Sequence, residues 1–98
     1  MAGTKMYELM ILLNEEFNDN ELKTWAFNLA KSLQSLNASE ISVISRGKRN
    51  LAYSIKNHKK GNFIQLNFLS LPKNLNNFSK ILELDTNVLR FLILKKTI

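Results

Sequence analysis

The sequence predicts an α+β fold, the ferredoxin-like split βαβ sandwich, in which two helices cover one face of a four-stranded antiparallel sheet. Four stretches have the alternating, β-branched or continuous apolar residues typical of strands, and apolar residues recur at spacings of three and four in two others. In chain order these stretches run strand, helix, strand, strand, helix, strand, which is the order of that fold. With 98 residues and 45% hydrophobic content, the chain is expected to form one domain over 1–98, with an ordered core at about 5–96.

The first strand and the first helix have the clearest patterns. The segment 5–14 alternates imperfectly, and Tyr7, Leu9, Ile11 and Leu13 share one face of the predicted strand. Met10 and Leu12 on the other face are also apolar, which predicts a central strand covered in part on both sides. Asn18 and Glu21 have the spacing of a capping box, and an apolar stripe follows until about Asn37.

The rest of the chain predicts a long hairpin, a short helix and a last strand. Residues 40–55 are interpreted as one strand bent or bulged at Gly47, because glycine inside a strand usually marks a kink. Residues 57–61 form a polar loop in which Gly61 is expected to supply a backbone angle that other residues resist. The return strand runs from 63 to 71, a short helix follows near Phe78, and the last strand covers 88–95.

Composition favours an anionic partner and argues against catalysis. The formal net charge is +6, and the chain has no cysteine, which excludes disulfides, thiol catalysis and cysteine-based zinc sites. No nucleophile with a nearby base, phosphate-binding glycine loop or metal-ligand spacing is found, so we expect no catalytic residue, cofactor, metal or small-molecule substrate. No apolar run reaches the length of a membrane span, and the N-terminus lacks the apolar segment of a secretory signal, so no membrane partner is expected.

Basic residues concentrate in the segment 46–63, at both ends of a predicted strand. Cations in that position form a rim around a sheet, which is typical of contacts with a phosphate backbone. The residues predicted to contact RNA are Lys5, Tyr7, Arg46, Lys48, Arg49, Lys56, Lys59, Lys60, Arg90, Lys95 and Lys96. The alternative is that the charges in the hairpin and at the C-terminus are merely solvated. His58 stands alone in this basic segment and is not expected to be catalytic or to bind metal.

The sheet face away from the helices is predicted to be apolar and to bind a protein. Its residues would be Met10, Leu12, Phe63, Leu69, Leu92 and Leu94. A contiguous exposed apolar patch on a small monomer usually marks such a surface. The alternative is that the bent strand or the chain termini cover some of these residues. The third strand lacks an aromatic run that could stack bases, which argues against sequence-specific reading of single-stranded RNA.

Three blocks of sequence resemble one family. Gly47 to Ile55, reading G-K-R-N-L-A-Y-S-I, is similar to the G-x-R-x-L-A-Y-x-I signature of ribosomal protein six of the bacterial-type small subunit. Residues 7–14 resemble the first strand of that family, and residues 87–95 resemble its last strand. Ser54 stands where the family often has proline, which leaves the stiffness of that strand open.

The resemblance implies a structural role in the small ribosomal subunit. In that family the protein pairs with small-subunit ribosomal protein eighteen, and the two bind the central domain of the small-subunit rRNA at the platform. Lys5, Tyr7, Arg49 and Arg90 match the family's basic and aromatic positions and are expected to touch rRNA or the protein partner. The sequence leaves open whether the ribosome is in a bacterial cytoplasm or a plastid stroma. Two alternatives on the same fold are a free-standing RNA-binding module and a ligand-binding regulatory domain.

Overall fold

The structure is a computed structural model that describes residues 3–96. Its elements are β1 (Lys5–Asn14), α1 (Asp19–Ser35), β2 (Ser39–Ile55), β3 (His58–Ser70), α2 (Leu75–Leu84) and β4 (Val88–Lys95), with one 3-10 turn at Pro72–Asn74 before α2. The four strands form one antiparallel sheet in the order β2-β3-β1-β4. The predicted ferredoxin-like fold is therefore confirmed.

The core lies between the sheet and the two helices. Leu9, Ile11 and Leu13 of β1 are fully buried there, as their alternation predicts. They meet Ile64, Leu66 and Phe68 of β3, Leu22, Ala26, Leu29 and Leu33 of α1, and Phe78 and Leu82 of α2. Because these residues are enclosed, truncation of one leucine to alanine is expected to cost about 2–5 kcal/mol. We call the sheet face away from this core the open face.

Helix α1 begins at the predicted cap. The Asn18 side chain accepts a hydrogen bond from the Glu21 backbone N–H at 2.8 Å, and the Glu21 carboxylate accepts from the Asn18 N–H at 3.0 Å. Trp25 lies at the edge of the helix stripe, half-buried, and its indole N–H donates to the Asp85 carboxylate at 2.8 Å. That bond connects α1 to the end of α2, so the two helices are held together by more than apolar packing.

Strand β2 is long and bulged, as predicted. Its pairing with β3 shifts register between Ser45 and Gly47, and Gly47 has a φ of 86°. Pairing shifts again between Asn50 and Ile55, beyond which a two-residue turn of Lys56 and Asn57 closes the hairpin. Both turn residues have positive φ, 48° and 68°, as in the common two-residue hairpin turns. With two residues, the turn is shorter than the predicted loop 57–61.

Gly61 does not supply the unusual backbone angle that the sequence predicts. Its φ is not positive, and it lies inside β3, opposite Asn14 of β1. A Cβ at this position would collide with the Leu12 side chain and lie 3.0 Å from the Leu13 carbonyl oxygen. Glycine is required because Leu12 packs directly over the backbone of β3.

Candidate nucleic-acid interface

The end of the β2–β3 hairpin extends past the end of β1. Asn14, the last residue of β1, pairs with Gly61, whereas β2 and β3 continue to Ile55 and His58. This extension holds Lys56, Lys59 and Lys60, and Arg46, Lys48 and Arg49 lie just before it on β2. We call Arg46, Lys48, Arg49, Lys56, Lys59 and Lys60 the hairpin cluster, and all six are exposed.

Residues 51–56 of the hairpin, which we call the arm, fold back over the open face. The arm starts from β2 at one edge of the sheet, crosses β3 and β1, and reaches β4 at the other edge. The Tyr53 hydroxyl accepts a hydrogen bond from Arg90 Nη1 at 3.2 Å, and Lys56 Nζ donates to the Val88 carbonyl at 3.3 Å. These two hydrogen bonds bring Arg90 of β4 next to the hairpin cluster.

Two arginines of the hairpin cluster are positioned by hydrogen bonds. Arg46 donates from Nε and Nη2 to the Oε1 atom of Gln65, which is only 7% exposed on the open face. Arg49 donates from Nε to the Arg46 carbonyl at 3.2 Å. Both guanidinium groups retain N–H donors that can bind phosphate oxygens, because each has five.

Three lysines of the hairpin cluster lack a side-chain partner in the part of the chain that the structure describes. The ammonium groups of Lys48, Lys59 and Lys60 make no ion pair or hydrogen bond with another residue in 3–96. One carboxylate is near the hairpin: Glu15 Oε1 lies 3.8 Å from His58 Nδ1. All three lysines are exposed on the β2–β3 hairpin, where they add unpaired positive charge.

The remaining predicted cations lie at the other end of the sheet. Lys5 pairs with Ser70, Lys95 pairs with Tyr7, and the Lys96 N–H donates to the Met6 carbonyl. We call Lys5, Lys95 and Lys96 the end cluster. Lys96 Nζ is 3.9 Å from Glu8, so part of its charge is offset. Since β1 has ten residues, Lys5 lies about 30 Å along the sheet from the level of Arg49, which pairs with Gly61 opposite Asn14.

Tyr7 does not belong to either surface. Its side chain is 5% exposed and lies in the core, with its ring centroid 5.9 Å from that of Phe68. The alternation of β1 places Tyr7 on the core face, while the family resemblance suggests a contact with RNA or the partner. The ring is inaccessible to both, so we remove Tyr7 from the expected contacts.

The open face is less uniformly apolar than predicted. Leu12 is only 4% exposed, because the arm and the neighbouring strands enclose it. Met10, Phe63 and Leu69 are half-buried, while Leu92 and Leu94 on the edge strand β4 are 55% and 48% exposed. Gln65, Asn67 and Glu8 interrupt this surface at its centre. Around Leu12 the bent strand therefore covers the open face, as the alternative prediction had it.

The sequence patterns miss the roles of two residues in this region. Tyr53 is 63% exposed, and its hydroxyl accepts a hydrogen bond from Arg90. Gln65 lies on the open face and accepts the hydrogen bonds of Arg46. Both interactions join residues far apart in the chain, and nothing in the local pattern indicates them. Within 3–96, no group of three or more His, Cys, Asp or Glu side chains could hold a metal ion, and neither helix is long and apolar enough to cross a bilayer.

Comparison with known proteins decides the family. Residues 6–95 match the family described as "Ribosomal protein S6". The chain belongs to the ribosomal protein S6 family. It is therefore a protein of the small ribosomal subunit, as the motif resemblance implied.

Relatives of known name support this membership along the whole chain. The chain is 72% identical to "Small ribosomal subunit protein bS6c" of Trieres chinensis over 96 residues, covering 98% of this chain and 100% of that one. It is 62% identical to the bS6c of Phaeodactylum tricornutum over 96 residues, covering 98% of each. These plastid-type names indicate a ribosomal location in the plastid, which the sequence patterns left open.

A solved bacterial structure supports the fold. The crystal structure of 30S ribosomal protein S6 from Thermotoga maritima superposes with a TM-score of 0.87 at 19% identity, covering 95% of this chain and 88% of that one. At that identity the likeness concerns the fold alone. The arrangement of two helices on an antiparallel sheet is thus shared with a ribosomal protein S6 of distant sequence.

Proposed function

We propose that this chain binds small-subunit rRNA, in the central domain at the platform, together with small-subunit ribosomal protein eighteen. Membership of the ribosomal protein S6 family favours this function over the free-standing RNA-binding module and over the regulatory domain. The observation that carries the proposal is the hairpin cluster, in which six cations lie within 15 residues and three of them have no side-chain partner in the described chain.

The hairpin cluster forms the RNA surface in this proposal, and Arg90 lies where that surface meets the open face. Lysine and arginine side chains on a protruding hairpin can approach phosphates on a folded RNA without burying the body of the protein. Such contacts orient the protein and carry no base information. The end cluster adds a second phosphate contact toward the other end of the sheet, which would fix the angle of the protein on the RNA.

The open face forms the protein surface in this proposal. Leu92 and Leu94 are the most exposed of the predicted partner-face residues, and Met10 lies beside Leu92 in the sheet register. Strand β4 is also an edge strand, so its outer backbone groups are available to a partner. Leu12 contributes from beneath the arm rather than by direct exposure.

The proposal is tested by measuring binding of the full chain to an rRNA fragment of the central domain, with and without purified ribosomal protein eighteen. We expect the pair to bind the fragment more tightly than this chain alone. Equal affinity with and without the second protein would favour a free-standing RNA-binding module, and no binding in either case would refute the RNA role.

A matched pair of variants tests the protein surface. Leu92→Ser with Leu94→Ser is expected to weaken association with ribosomal protein eighteen, because it removes exposed apolar area from β4. Ile81→Ser with Leu84→Ser removes exposed apolar area from α2 on the opposite side of the sheet and is expected to leave association unchanged. Equal effects of the two variants would contradict the assignment of the open face.

A further inference from the structure

An apolar groove of about 300 Å³ lies between the arm and the open face. Leu51, Tyr53 and Ile55 of the arm line one side, and the sheet provides Met10, Leu12, Phe63 and Leu92. The volume is at the lower end of the range of about 300–1,000 Å³ typical of ligand pockets. It therefore suits one or two side chains rather than a folded element.

Arg90 is the one charged residue among those that line the groove. Its guanidinium is exposed and donates a hydrogen bond to the Tyr53 hydroxyl, which uses one of five N–H donors. Within residues 3–96 no carboxylate pairs with it. The remaining donors are available for a carboxylate, which a guanidinium binds in a two-pronged geometry.

We propose that this groove binds a partner peptide segment that carries a large apolar side chain next to a carboxylate. The side chain occupies the space over Leu12, and the carboxylate pairs with Arg90. The charge of the surroundings supports this occupant, because no acidic residue lines the groove and Lys56 lies on the same arm. The inference rests on the proposed function only for the assignment of a protein partner to the open face.

The walls of the groove favour a peptide over a nucleobase. Seven of the eleven residues that line the groove are Met, Ile, Leu or Ala and three are aromatic, whereas proteins that hold single bases usually stack them on aromatic or guanidinium planes. The Arg90 guanidinium carbon lies 5.8 Å from the centroid of the Tyr53 ring, so Arg90 takes up one face of that ring. A nucleotide in the groove is treated below as an outcome that overturns the proposal.

The arm is the outer wall of the groove. It pairs irregularly with β3 between Asn50 and Ile55 and is held over the sheet by Tyr53 and Lys56. Ala52 lines the groove from the arm and is itself exposed, so a larger side chain there can fill the groove without entering the core. Ala52→Phe is thus a blocking variant that leaves the fold intact.

The test is an NMR titration of the full chain with 3-phenylpropionate, which combines an apolar ring and a carboxylate, and with 3-phenylpropanamide as the neutral control. We expect saturable shifts of the Met10, Leu12 and Leu92 methyl signals and of the Arg90 Nε–H signal. The carboxylate should bind about three- to fivefold more tightly than the amide, as an exposed ion pair allows. Arg90→Gln should abolish that preference, whereas Lys80→Gln on α2 should keep it.

Three results would overturn the inference. They are no saturable shift at the groove, equal affinity for the two probes, and stronger shifts of the same signals with uridine 5′-monophosphate. Ala52→Phe separates this inference from the proposed function. If it blocks 3-phenylpropionate but leaves association with ribosomal protein eighteen unchanged, the groove is not the partner site. If the wild-type chain binds the probe but not ribosomal protein eighteen, the groove stands and the proposed partnership fails.

Discussion

The Tyr53 hydroxyl accepts a hydrogen bond from Arg90 at 3.2 Å, and the two residues belong to strands at opposite edges of the sheet. The bond spans 37 positions in sequence and closes the arm over the open face. It joins a residue of the L-A-Y signature to the arginine of the last strand. The hairpin that carries most of the proposed RNA contacts is therefore also a wall of the surface proposed for the protein partner.

Removal of Tyr53 should release the arm. Tyr53→Ala is expected to speed amide hydrogen exchange in residues 51–56, because it removes both the hydrogen bond to Arg90 and the ring beneath its guanidinium. Tyr53→Phe keeps the ring and should have a smaller effect. Global stability should change by less than about 1 kcal/mol, since the side chain is exposed. Unchanged exchange in Tyr53→Ala would show that this residue does not hold the arm.

Gly61→Ala should destabilise the fold by about 1–3 kcal/mol, because the added methyl group overpacks against Leu12. Urea unfolding measures the cost. In a Leu12→Ala background the same substitution should cost less, since the colliding side chain is gone. An equal cost in both backgrounds would mean that Gly61 is needed for some other reason.

Asp85→Ala should destabilise the fold by about 1–3 kcal/mol, because the carboxylate accepts hydrogen bonds from the Trp25 indole and the Asn87 backbone N–H. The fluorescence of Trp25 should change in the folded state. Glu83→Ala removes an exposed carboxylate from α2 and serves as the control, with an expected change within about 0.5 kcal/mol. If both variants are equally stable, the bond between the helices contributes nothing measurable.

Asn18→Ala should cost about 1 kcal/mol in thermal or urea unfolding, because it removes one half of the capping box of α1. Asn20→Ala replaces an exposed asparagine inside the first turn and is the matched control. It should be neutral or slightly stabilising, since alanine is the better helix former. A destabilisation at Asn20 as large as at Asn18 would count against the cap.

Local patterns predict the fold well where a single element decides the outcome. The alternation of Leu9, Ile11 and Leu13 predicts the core face of β1, and Asn18 with Glu21 predicts the start of α1. The last strand is predicted at 88–95 and observed at Val88–Lys95. In each case the side-chain pattern and the local hydrogen bonds point to the same structure.

The candidate site is predicted less well, because it depends on interactions between distant segments. The period of β1 places Leu12 on the open face but contains no information about the arm that covers it. The role of Gly61 depends on Leu12, a residue of another strand. The turn at Lys56 and Asn57 has no glycine to mark it, so the sequence does not indicate its two positive φ angles. Tyr7 shows that strand periodicity outweighs a residue-by-residue transfer from relatives.

The most direct test of rRNA binding is the salt dependence of affinity for the central-domain fragment, in the presence of ribosomal protein eighteen. One variant carries Lys48→Gln, Lys59→Gln and Lys60→Gln, and its control carries Lys23→Gln, Lys73→Gln and Lys80→Gln on the helix side. Both lower the net charge of +6 by three. The hairpin variant should flatten the plot of log affinity against log salt by about 0.7–0.9 for each phosphate that is no longer neutralised, and the control should match the wild type. Identical slopes for the two variants would contradict the assignment of the hairpin to rRNA.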